Sequence, residues 1–557
     1  MERIWLRSYP AGVPAEIGVP EHASVVEVFE EAVRRHAGRP AFINMGRSLS
    51  YAELDRASAA FATFLRRDAG LGPGERVALM MPNVLQYPVA LFGVLRAGCV
   101  VVNINPLYTA RELEHQLRDS GARALVVLEN FAHTVAQVAP DARPAHVIVT
   151  ALGDLLGGVK GAMVDFVVRH VRRMVPPWSM PGSLRLRDAL ERGARGPFVR
   201  HAPEPSDIAF LQYTGGTTGQ SKGAVLTHGN VVANMMQARA WIRSRVREGE
   251  ELIVTALPLY HIFSLTANCL VYSSLGAANL LITNPRDIAG FIRELRRYRF
   301  TAITGVNTLF NALLNHPDFA RVDFSSLRIA LGGGMAVQRS VAERWQARTG
   351  TPLIEAYGLT ETSPAVSINP LDLEAFNHSI GLPLPSTEVS IRDDDGEELP
   401  PGEPGELCVR GPQVMRGYWN RPEETAEAFT ADGFLRTGDI ATMDEHGYLR
   451  IVDRKKDLII VSGFNVVPNE IEDVLTGHPG VLEAAAVGVP DARSGESVKL
   501  FVVRRDPALT AEALIAHCRQ NLTGYKVPRS IEFRDELPKT PVGKILRRSL
   551  RESATGG

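Results

Sequence analysis

Short apolar runs and longer amphipathic stretches alternate through about the first 450 residues of the chain. One cycle reads "RVALMM", "LQYPVALFGVLRAG", "VVNINP", "TARELEHQLRDSG" and "ALVVLE". Strand-like runs separated by helix-length segments are typical of βαβ units, whose strands pair in parallel. The pattern recurs around "ELIVTALPL", "TAITGV" and "LRIALGGG", with no fixed repeat period. The sequence therefore predicts an α/β fold with mainly parallel sheets.

The character of the chain changes twice after this region. From Arg392 the sequence "RDDDGEELPPGEPGELCVRGP" has Gly and Pro turns between short strands, which indicates a small β-rich subdomain over about 380–452. The basic "DRKKD" at 453–457 is typical of a solvated hinge. We therefore predict a large N-terminal domain of two mainly parallel sheets plus this subdomain at 1–452. A hinge at 453–457 and a small, mobile α+β domain at 458–557 complete the prediction.

Composition narrows the classes of function. The 557 residues include 61 Lys and Arg against 62 Asp and Glu, a balance that argues against a nucleic-acid partner. The four cysteines are far apart and show no spacing typical of zinc ligands or a disulfide framework. The N-terminal "MERIWLRSYPAGVP" lacks the apolar run of a secretory signal. These features together predict a cytoplasmic protein.

Two segments raise the question of a membrane. Residues 252–285 contain no Asp, Glu, Lys or Arg, a length that could span a bilayer. Pro258, His261, Asn268 and Gly276 interrupt this stretch, so we interpret it as buried core that includes a strand at "NLLIT".

Residues 157–178, the second segment, have the pattern of a basic amphipathic helix. Such a helix can make a peripheral contact with the anionic surface of the inner membrane. It can equally pack on the protein as an ordinary surface helix. The sequence leaves both interpretations open. Its apolar face would carry Val159, Met163, Phe166, Val167, Val171 and Met174, and its polar face Lys160, Asp165, Arg169, Arg172 and Arg173.

The stretch "YTGGTTGQSKGAVLTH" at 213–228 is a glycine-rich, hydroxyl-rich loop with one lysine. Successive glycines let backbone N–H groups approach an anion closely, and a lysine adds a point charge suited to phosphate. The order "GGTTGQSK" is not that of a Walker loop. Since an apolar run precedes it and "GAVLTHGNVVANMMQARA" follows, we expect the loop to connect a strand to a helix and to bind a polyphosphate. The candidate residues are Tyr213, Thr214, Gly215, Gly216, Thr217, Thr218, Gly219 and Lys222.

Five motifs in order along the chain resemble those of the adenylate-forming enzymes, which include acyl-CoA synthetases, luciferases and the adenylation domains of peptide synthetases. They are "YTGGTTGQSKG", "EAYGLTET", "RTGD", "DRKKDLIIVSGFNV" and "PKTPVGKILRR". The resemblance spans nearly the whole chain and is strongest to bacterial long-chain fatty acyl-CoA synthetases. It implies that ATP and a fatty acid react to an acyl-adenylate and pyrophosphate, and that coenzyme A then displaces AMP. It also implies a requirement for Mg²⁺.

The resemblance assigns residues to the nucleotide. Tyr357 matches the residue whose ring stacks on adenine, and Gly333 and Gly334 would let the backbone pass close to the base. Asp439 matches the carboxylate that binds both ribose hydroxyls, with Arg454 beside it.

Other residues are assigned to the phosphates and to the metal. Thr360 would offer its hydroxyl to the α-phosphate, and Lys222 its charge to the leaving phosphates. Glu361 and Thr218 would supply oxygen ligands to Mg²⁺.

Lys544 matches the lysine that bridges the carboxylate and the α-phosphate, where charge develops during adenylation. Family members rotate the C-terminal domain between the two steps, and Lys456 falls at the hinge position. After rotation, Ser462, Gly463 and Phe464 would line the entry for coenzyme A.

The acyl pocket is the least constrained part of the prediction. Gly358 stands where acetate-specific relatives carry a tryptophan, which indicates a pocket open beyond acetate. His261, Val306 and Gly332 would line it together with Gly358, as a tunnel for a long chain.

Several alternatives to a long-chain ligase stay open at this stage. The chain could load a carrier protein instead of coenzyme A, could prefer medium-chain or aromatic acids, or could be a membrane-surface fatty-acid-binding protein. A homodimer is also left open.

Overall fold

The computed structural model describes residues 3–214, 221–454, 457–461, 464–491 and 494–555, with the backbone alone at Arg454, Asn465 and Thr555. The strands up to residue 383 are β1 (Pro40–Asn44), β2 (Arg47–Ser50), β3 (Arg76–Met80), β4 (Val100–Asn103), β5 (Ala124–Leu128), β6 (His146–Thr150), β7 (Leu184–Arg185), β8 (Ile208–Tyr213), β9 (Gly223–Thr227), β10 (Leu252–Thr255), β11 (Ala278–Leu281), β12 (Ala302–Gly305), β13 (Ile329–Gly333), β14 (Leu353–Gly358), β15 (Ala365–Ile368) and β16 (Leu382–Pro383).

These strands form two large sheets. One has the order β7-β6-β5-β3-β4-β8-β9 and the other β16-β15-β14-β13-β12-β10-β11-β1-β2. Their central strands pair in parallel, and antiparallel pairs lie at the edges, as between β8 and β9 or β1 and β2. Every residue of β5 is buried, because helices cover both faces of a parallel sheet. The predicted α/β class with mainly parallel sheets is confirmed.

Helices fill the crossovers between these strands. Three of them, over residues 51–63, 110–120 and 228–242, begin at Ser or Thr caps whose side chains accept a bond from the third helical N–H and form capping boxes, which stabilise the exposed first turn. The helices of this part are α1 (Val25–His36), α2 (Tyr51–Thr63), α3 (Gln86–Arg96), α4 (Ala110–Ser120), α5 (Ala132–Gln137), α6 (Gly158–Phe166), α7 (Leu186–Ala194), α8 (His228–Ile242), α9 (Ile262–Ser264), α10 (Val271–Ser274), α11 (Ile288–Leu295), α12 (Asn307–Asn315), α13 (Arg339–Thr349) and α14 (Pro422–Ala428).

An antiparallel sheet follows the two large sheets. It has the order β17-β18-β19-β20 and consists of β17 (Glu388–Arg392), β18 (Gly405–Arg410), β19 (Leu435–Met443) and β20 (Leu449–Arg454). Gly- and Pro-rich turns connect these strands, as the composition of this segment indicated.

The last part of the chain is a separate α+β layer. Its sheet has the order β22-β21-β24-β23, with β25 on β24, and it packs against three helices. The elements are β21 (Ile459–Val461), β22 (Phe464–Val466), α15 (Pro468–Thr476), β23 (Val481–Asp491), β24 (Gly495–Arg504), α16 (Ala511–Asn521), β25 (Ser530–Arg534) and α17 (Arg547–Thr555). The boundaries at 452 and 457, and the mobility of this layer, stay predictions.

The glycine-rich loop does not connect a strand to a helix as expected. It joins β8 to β9, and α8 begins only after β9. The run "GAVLT" forms this extra strand because its backbone is bonded on both sides, to β8 and to residues 416–419, for example from Val225 N to Gly417 O at 2.9 Å. Long-range pairing of this kind leaves no local signal beyond a short apolar run.

The structure describes both segments that raised the question of a membrane. Residues 252–285 form β10, the helical stretch α9 to α10 and β11, and are mostly buried, as interpreted. Among the described residues, none of the helices is both long and apolar enough to cross a bilayer.

The amphipathic segment over 157–178 folds as α6 and a π-helical turn, Val167–Val171. Its apolar face points away from the protein: Met163 is 62% exposed and Phe166 59%. The body is contacted instead by a mixed side of the helix, on which Gly161 and Val168 are buried. The interpretation as an ordinary packed surface helix is therefore wrong, since that would bury the apolar face.

Candidate active site

A continuous cavity of about 1910 Å³ lies between the large domain and the C-terminal layer. It opens at the carboxyl ends of the parallel strands β12 to β14, where Gly333 and Tyr357 sit. Such crevices are the usual ligand sites of open α/β sheets. Candidate residues on its wall are Tyr213, Thr214, Lys222, His261, Gly333, Gly334, Tyr357, Gly358, Thr360, Glu361, Asp439 and Lys544.

Tyr357 and Asp439 are joined by a hydrogen bond. The Tyr357 hydroxyl donates to Asp439 Oδ2 at 2.6 Å. Asp439 is buried on β19, directly opposite Arg454 on β20. Two motifs that are 82 residues apart along the chain thus meet in one pair, an aromatic ring beside a carboxylate.

Glu361 lies in a second cluster with Lys222. The Tyr418 hydroxyl donates to Glu361 Oε1 at 2.8 Å, and Lys222 Nζ lies 5.3 Å from the centre of the Tyr418 ring. The backbone also joins these segments, from Met415 N to Glu361 O at 2.7 Å. The cluster places an ammonium and a carboxylate on the same wall of the cavity, a combination that suits a phosphate chain and its cation.

The glycine turn after β13 brings the backbone next to Lys544. Gly334 has a φ of +77°, and an added Cβ would lie 3.3 Å from Lys544 Cε. At Gly333 an added Cβ would lie 3.0 Å from Ala356 O and 3.2 Å from the Phe263 ring. Glycine at 334 suits the positive φ, and at 333 an added Cβ would be tight against the backbone oxygen of Ala356.

Lys544 is presented by a tight turn of the C-terminal layer. Its N–H bonds to Thr540 Oγ1 at 3.0 Å, and its carbonyl accepts from Thr540 N at 2.7 Å. The turn is attached to the large domain where Thr308 Oγ1 donates to Gly543 O at 2.9 Å. The C-terminal layer thus contributes this lysine to a cavity that both bodies line.

His261 lies on the cavity wall at the start of α9. Burial, and secondarily the charge of Lys544, lowers its pKa to about 3, so the imidazole is neutral at physiological pH. Its Nδ1 accepts from Phe263 N at 3.3 Å. Beyond it the wall becomes apolar, with Ala238, Ile242, Ala267, Val271, Ile329 and Leu331.

Two residues assigned to the acyl pocket, Val306 and Gly332, lie outside the cavity wall. Val306 is buried behind Gly334 and Gly543, and Gly332 lies behind the wall, where an added Cβ would come 2.7 Å from Val337 Cγ2. Gly358 does border the cavity, but an added Cβ would point at Pro364 O, at 1.9 Å. Glycine is needed at position 358 because the backbone of Pro364 approaches it closely. It therefore opens the pocket only indirectly.

The structure gives no position for several candidates. Gly215, Gly216, Thr217, Thr218, Gly219, Lys456, Ser462 and Gly463 lie outside the described residues, and so does the side chain of Arg454. Phe464 is described: its ring is 55% exposed on the C-terminal layer and stacks on Tyr525 at 4.8 Å.

Tyr418 and Glu355 are two residues of the cavity that sequence reasoning missed. Tyr418 belongs to none of the motifs, and its place beside Glu361 depends on pairing across 57 residues. Glu355 stands inside "EAYGLTET" without an assigned role. Its buried carboxyl accepts from Val337 N at 3.0 Å, and burial raises its pKa to about 8. The signal available in the sequence was a glutamate inside an apolar, strand-like run. Burial of an acid is costly, so an acid at such a position indicates a specific role.

The donor set around Glu361 fits a magnesium ion that is held mainly by substrate phosphates. Among the described residues, no group of three or more His, Cys, Asp or Glu side chains could hold a metal. Mg²⁺ usually takes one or two carboxylates plus phosphate oxygens and water, so a single carboxylate beside a phosphate site is an adequate anchor.

Two family models match the chain. The model described as "AMP-binding enzyme" matches residues 29–419, and that described as "AMP-binding enzyme C-terminal domain" matches residues 470–544.

Curated relatives and solved structures are similar over the full length. The long-chain-fatty-acid–CoA ligase of Escherichia coli O6:H1 is 59% identical over 556 residues, covering 100% of this chain and 99% of the relative. The protein of the same name from Haemophilus influenzae is 54% identical, covering 99% and 98%. The crystal structure of the anthranilate CoA ligase AuaEII in complex with anthranoyl-AMP has a TM-score of 0.84 at 26% identity, covering 96% of this chain and 98% of that one.

Proposed function

The chain belongs to the AMP-binding enzyme family, and we propose that it catalyses the ATP-dependent formation of acyl-coenzyme A from long-chain fatty acids. In the first step a carboxylate oxygen attacks the α-phosphorus of ATP, and pyrophosphate leaves. In the second step the thiol of coenzyme A attacks the acyl carbonyl, and AMP leaves. The observation that carries the proposal is the full-length similarity to long-chain-fatty-acid–CoA ligases.

The Tyr357 and Asp439 pair binds the nucleoside. The Tyr357 ring stacks on adenine, and Asp439 accepts from the ribose hydroxyls. The 2.6 Å bond between them supports this role, because it fixes the carboxylate beside the ring before ATP arrives. Arg454 pairs with Asp439 through the backbone of the sheet, and we assign it to the ribose as well.

The phosphates lie between the glycine-rich loop and Glu361. Tyr213, Thr214 and Lys222 frame that loop, and Lys222 neutralises charge on the β- and γ-phosphates that leave as pyrophosphate. Thr360 donates to the α-phosphate. We also assign residues 215–219, which lie outside the described residues, to the phosphates, because their backbone N–H groups and hydroxyls are suitable donors.

Glu361, with Thr218, is the protein's contribution to the magnesium site. When bound there, Mg²⁺ would neutralise charge on the phosphates. Tyr418 orients Glu361 through the 2.8 Å hydrogen bond to Oε1.

Lys544 stabilises the charge that develops between the carboxylate and the α-phosphate during adenylation. One contact and one electrostatic effect support this role: the side chain passes over Gly334, and its charge helps to lower the pKa of His261, where the apolar wall begins. Because the His261 imidazole is neutral, it does not compete with the Lys544 ammonium for the carboxylate of the fatty acid.

The apolar wall formed by α8, the stretch α9 to α10 and β13 holds the acyl chain. Burial of each methylene contributes about 0.8 kcal/mol, so a deep apolar cavity favours long chains. The carboxyl group of the fatty acid lies near His261, Gly358 and the strand end at Gly332 to Gly334. Val306 packs behind that strand end.

Coenzyme A then needs the place that the Lys544 turn occupies. We propose that the C-terminal domain rotates about Lys456 between the two steps. Rotation moves Ser462, Gly463 and Phe464 towards the cavity. The 55% exposure of Phe464 in the present arrangement supports a surface that is used only in the other one.

The main test measures acid-dependent AMP formation with ATP, Mg²⁺ and coenzyme A across carboxylic acids from acetate to octadecanoate and including benzoate. We expect the highest kcat/KM with long chains. Acetate or an aromatic acid as the best substrate would contradict the chain-length proposal. Absence of acid-dependent AMP would favour a fatty-acid-binding protein, and acyl transfer to a phosphopantetheinyl carrier but not to coenzyme A would favour a carrier-loading enzyme.

Lys544→Ala separates the two steps. We expect adenylation, measured as acid-dependent pyrophosphate release, to fall at least about a hundredfold, which is typical for loss of a charge that acts in the transition state. Thioester formation from supplied acyl-adenylate and coenzyme A should stay within about threefold of wild type, since the lysine is absent from that step. Equal loss of both steps would contradict the assignment of Lys544.

The exposed apolar face of α6 and its π-helical turn contacts an anionic membrane surface. The inverted orientation supports this proposal. Asp165 accepts from Gly153 N at 2.7 Å, and Arg169 pairs with Glu129 at 2.7 Å, so these two polar side chains bind to the body of the protein. Arg172 and Arg173 are exposed beside the apolar side chains, the composition of an interfacial helix.

A further inference from the structure

Arg547 is the first residue of α17 and lies three positions after Lys544. Its side chain is only 17% exposed. It donates to both carboxylate oxygens of Glu472, at 3.1 and 2.8 Å, and to Asn469 Oδ1. Such a bidentate arginine pair fixes orientation as well as charge.

The same guanidinium faces two further carboxylates near the predicted hinge. Arg547 Nη1 lies 3.6 Å from Asp453 Oδ1 and 3.9 Å from Asp457 Oδ2. Asp453 is buried on β20, one residue before Arg454, and its Oδ2 also accepts from Asn469 N at 3.4 Å. Burial opposes the charge of Arg547, but these acids outweigh it and raise the pKa of Arg547. The cation thus stays charged at the junction of the two domains.

The partners of Arg547 belong to different bodies. Asp453 lies in the β17 to β20 sheet, in the strand beside Asp439, whereas Glu472 and Asn469 lie in α15 of the C-terminal layer. Arg547 therefore connects the turn that presents Lys544 to the strand beside the proposed ribose site. A movement about residue 456 would keep Arg547 with Glu472 and separate both from Asp453.

We propose that Arg547 is a positioning residue for the adenylation step: by pairing with Asp453 and Glu472 it holds the 540–546 turn so that Lys544 reaches into the cavity. The inference rests on the proposed function, in which Lys544 acts in the first step only. The Thr308 to Gly543 hydrogen bond guides the tip of the turn, and Arg547 fixes its base. A long lysine side chain needs such support to act at a defined place.

The network could instead serve only the stability of the C-terminal layer. A stabilising role and a positioning role differ in one measurable respect. Loss of stability alone would affect both half-reactions equally, whereas loss of positioning would affect adenylation and spare thioester formation.

The test compares Arg547→Gln, Arg547→Lys and Asp453→Asn in the full-length protein. Adenylation is measured as fatty-acid-dependent pyrophosphate release without coenzyme A, and thioester formation from supplied acyl-adenylate. We expect Arg547→Gln to lower kcat of adenylation at least about tenfold with KM for ATP little changed, because the lost charge pairs no longer hold the turn. Arg547→Lys should recover part of this loss, since it keeps the charge but not the bidentate geometry.

Asp453→Asn keeps the test decisive if Arg547→Gln fails to fold. It removes the contact to the large domain and leaves the Arg547 and Glu472 pair intact, so adenylation should again fall while thioester formation stays within about twofold. Lys499→Met is the matched control: it removes another ion pair of the same layer, to Glu532 at 2.9 Å, and should change neither half-reaction.

Unchanged adenylation in Arg547→Gln, or a parallel fall of both half-reactions with a lower Tm, would overturn the inference. Failure of the wild-type protein itself to release pyrophosphate with any fatty acid would contradict the proposed function instead. The two failures are therefore distinguishable.

Discussion

Tyr357 and Asp439 illustrate what single side chains contribute to the site. Each lies in a short motif that would be unremarkable by itself, yet the tyrosine hydroxyl donates to the carboxylate at 2.6 Å. In the function that we propose, this bond couples the residue that stacks on adenine to the residue that binds the ribose. Glu355, four residues before Leu359 in the same motif, has a different role: its neutral carboxyl accepts from Val337 N and holds the turn after Gly334.

Tyr357→Phe should raise KM for ATP about three- to tenfold, the effect expected for loss of one hydrogen bond of about 1 kcal/mol. The ring remains, so stacking on adenine is kept, but Asp439 loses the donor that orients it. KM for the fatty acid should not change. Tyr9→Phe is the control, because its hydroxyl donates to Pro383 O at 2.5 Å outside the cavity. An unchanged KM for ATP would show that the bond does not orient Asp439.

Glu355→Gln should change how stability depends on pH. Burial raises the pKa of Glu355 from 4.5 to about 8, so the unfolded chain releases its proton at lower pH than the folded one. The stabilisation is complete below pH 4.5 and is lost as pH rises towards 8, by up to about 1.4 kcal/mol per pH unit. The glutamine variant lacks this loss.

Thermal melts at pH 5.5 and at pH 8 measure the effect. The Tm of Glu355→Gln relative to wild type should be higher at pH 8 than at pH 5.5. Glu250→Gln, which alters a side chain that is 59% exposed, should show no such change. A Tm difference that is the same at both pH values would contradict a buried, neutral Glu355.

At the scale of elements, β9 and α6 are the two places where local pattern and structure differ. In β9, pairing to β8 and to residues 416–419 turns an apolar run before a helix into a strand. In α6 the periodicity gave the correct faces but not their direction. Gly161 packs against Gly153 so closely that an added Cβ would lie 2.4 Å from Gly153 O, and this contact seats that side of the helix on the body.

Met163→Ser with Phe166→Ser should reduce binding to anionic vesicles at least about tenfold, since burial of one such side chain contributes about 1.5–3 kcal/mol. Co-sedimentation with phosphatidylglycerol vesicles measures this effect. High salt or purely zwitterionic vesicles should also weaken binding, because Arg172 and Arg173 add an electrostatic attraction. AMP formation with detergent-solubilised fatty acid should stay unchanged.

Val199→Ser is the control for this pair, because Val199 is 76% exposed outside the α6 face. If the wild-type protein does not bind vesicles but forms a dimer that the double variant abolishes, the face binds a second copy of the chain. That outcome would contradict the membrane proposal and support the homodimer.

On the scale of the whole molecule, the site is complete only because two bodies meet. The cavity lies between the large domain and the C-terminal layer, and few direct hydrogen bonds among the described residues join them near Lys544. Thr308 donates to Gly543 O at 2.9 Å, and Asn311 Nδ2 donates to Leu482 O at 3.0 Å. Isolated polar contacts between the two bodies suit the domain movement that we propose.

Thr308→Val tests one of these contacts with little change in volume. We expect adenylation to slow about three- to tenfold, because one hydrogen bond that guides the Lys544 turn is lost. Thioester formation from supplied acyl-adenylate should be unchanged or faster, since the adenylation arrangement is less favoured. Thr349→Val, in which the lost hydroxyl bonds only within the α13 region, is the control. A slower second step would contradict a contact that is specific to adenylation.

Much of this protein could be predicted from the sequence. The alternation of strand-like and helical runs determined the α/β class, and the five motifs indicated the reaction and a group of residues that line the cavity, because such motifs combine local backbone needs with fixed chemistry. Gly333 and Gly334 are examples, since their close approaches follow from the absence of a Cβ.

Only the tertiary structure decided where side chains point and which distant residues meet. It placed Tyr418 beside Glu361, put Gly332 and Val306 behind the cavity wall, and turned the apolar face of α6 outward. The physical reason is the range of the interactions: periodicity, turns and caps act over a few residues, whereas burial and pairing depend on partners far along the chain. Arg547 illustrates the short and the long range together. Its place at a helix start is a local feature, but its partners Asp453 and Glu472 lie 94 and 75 residues away along the chain.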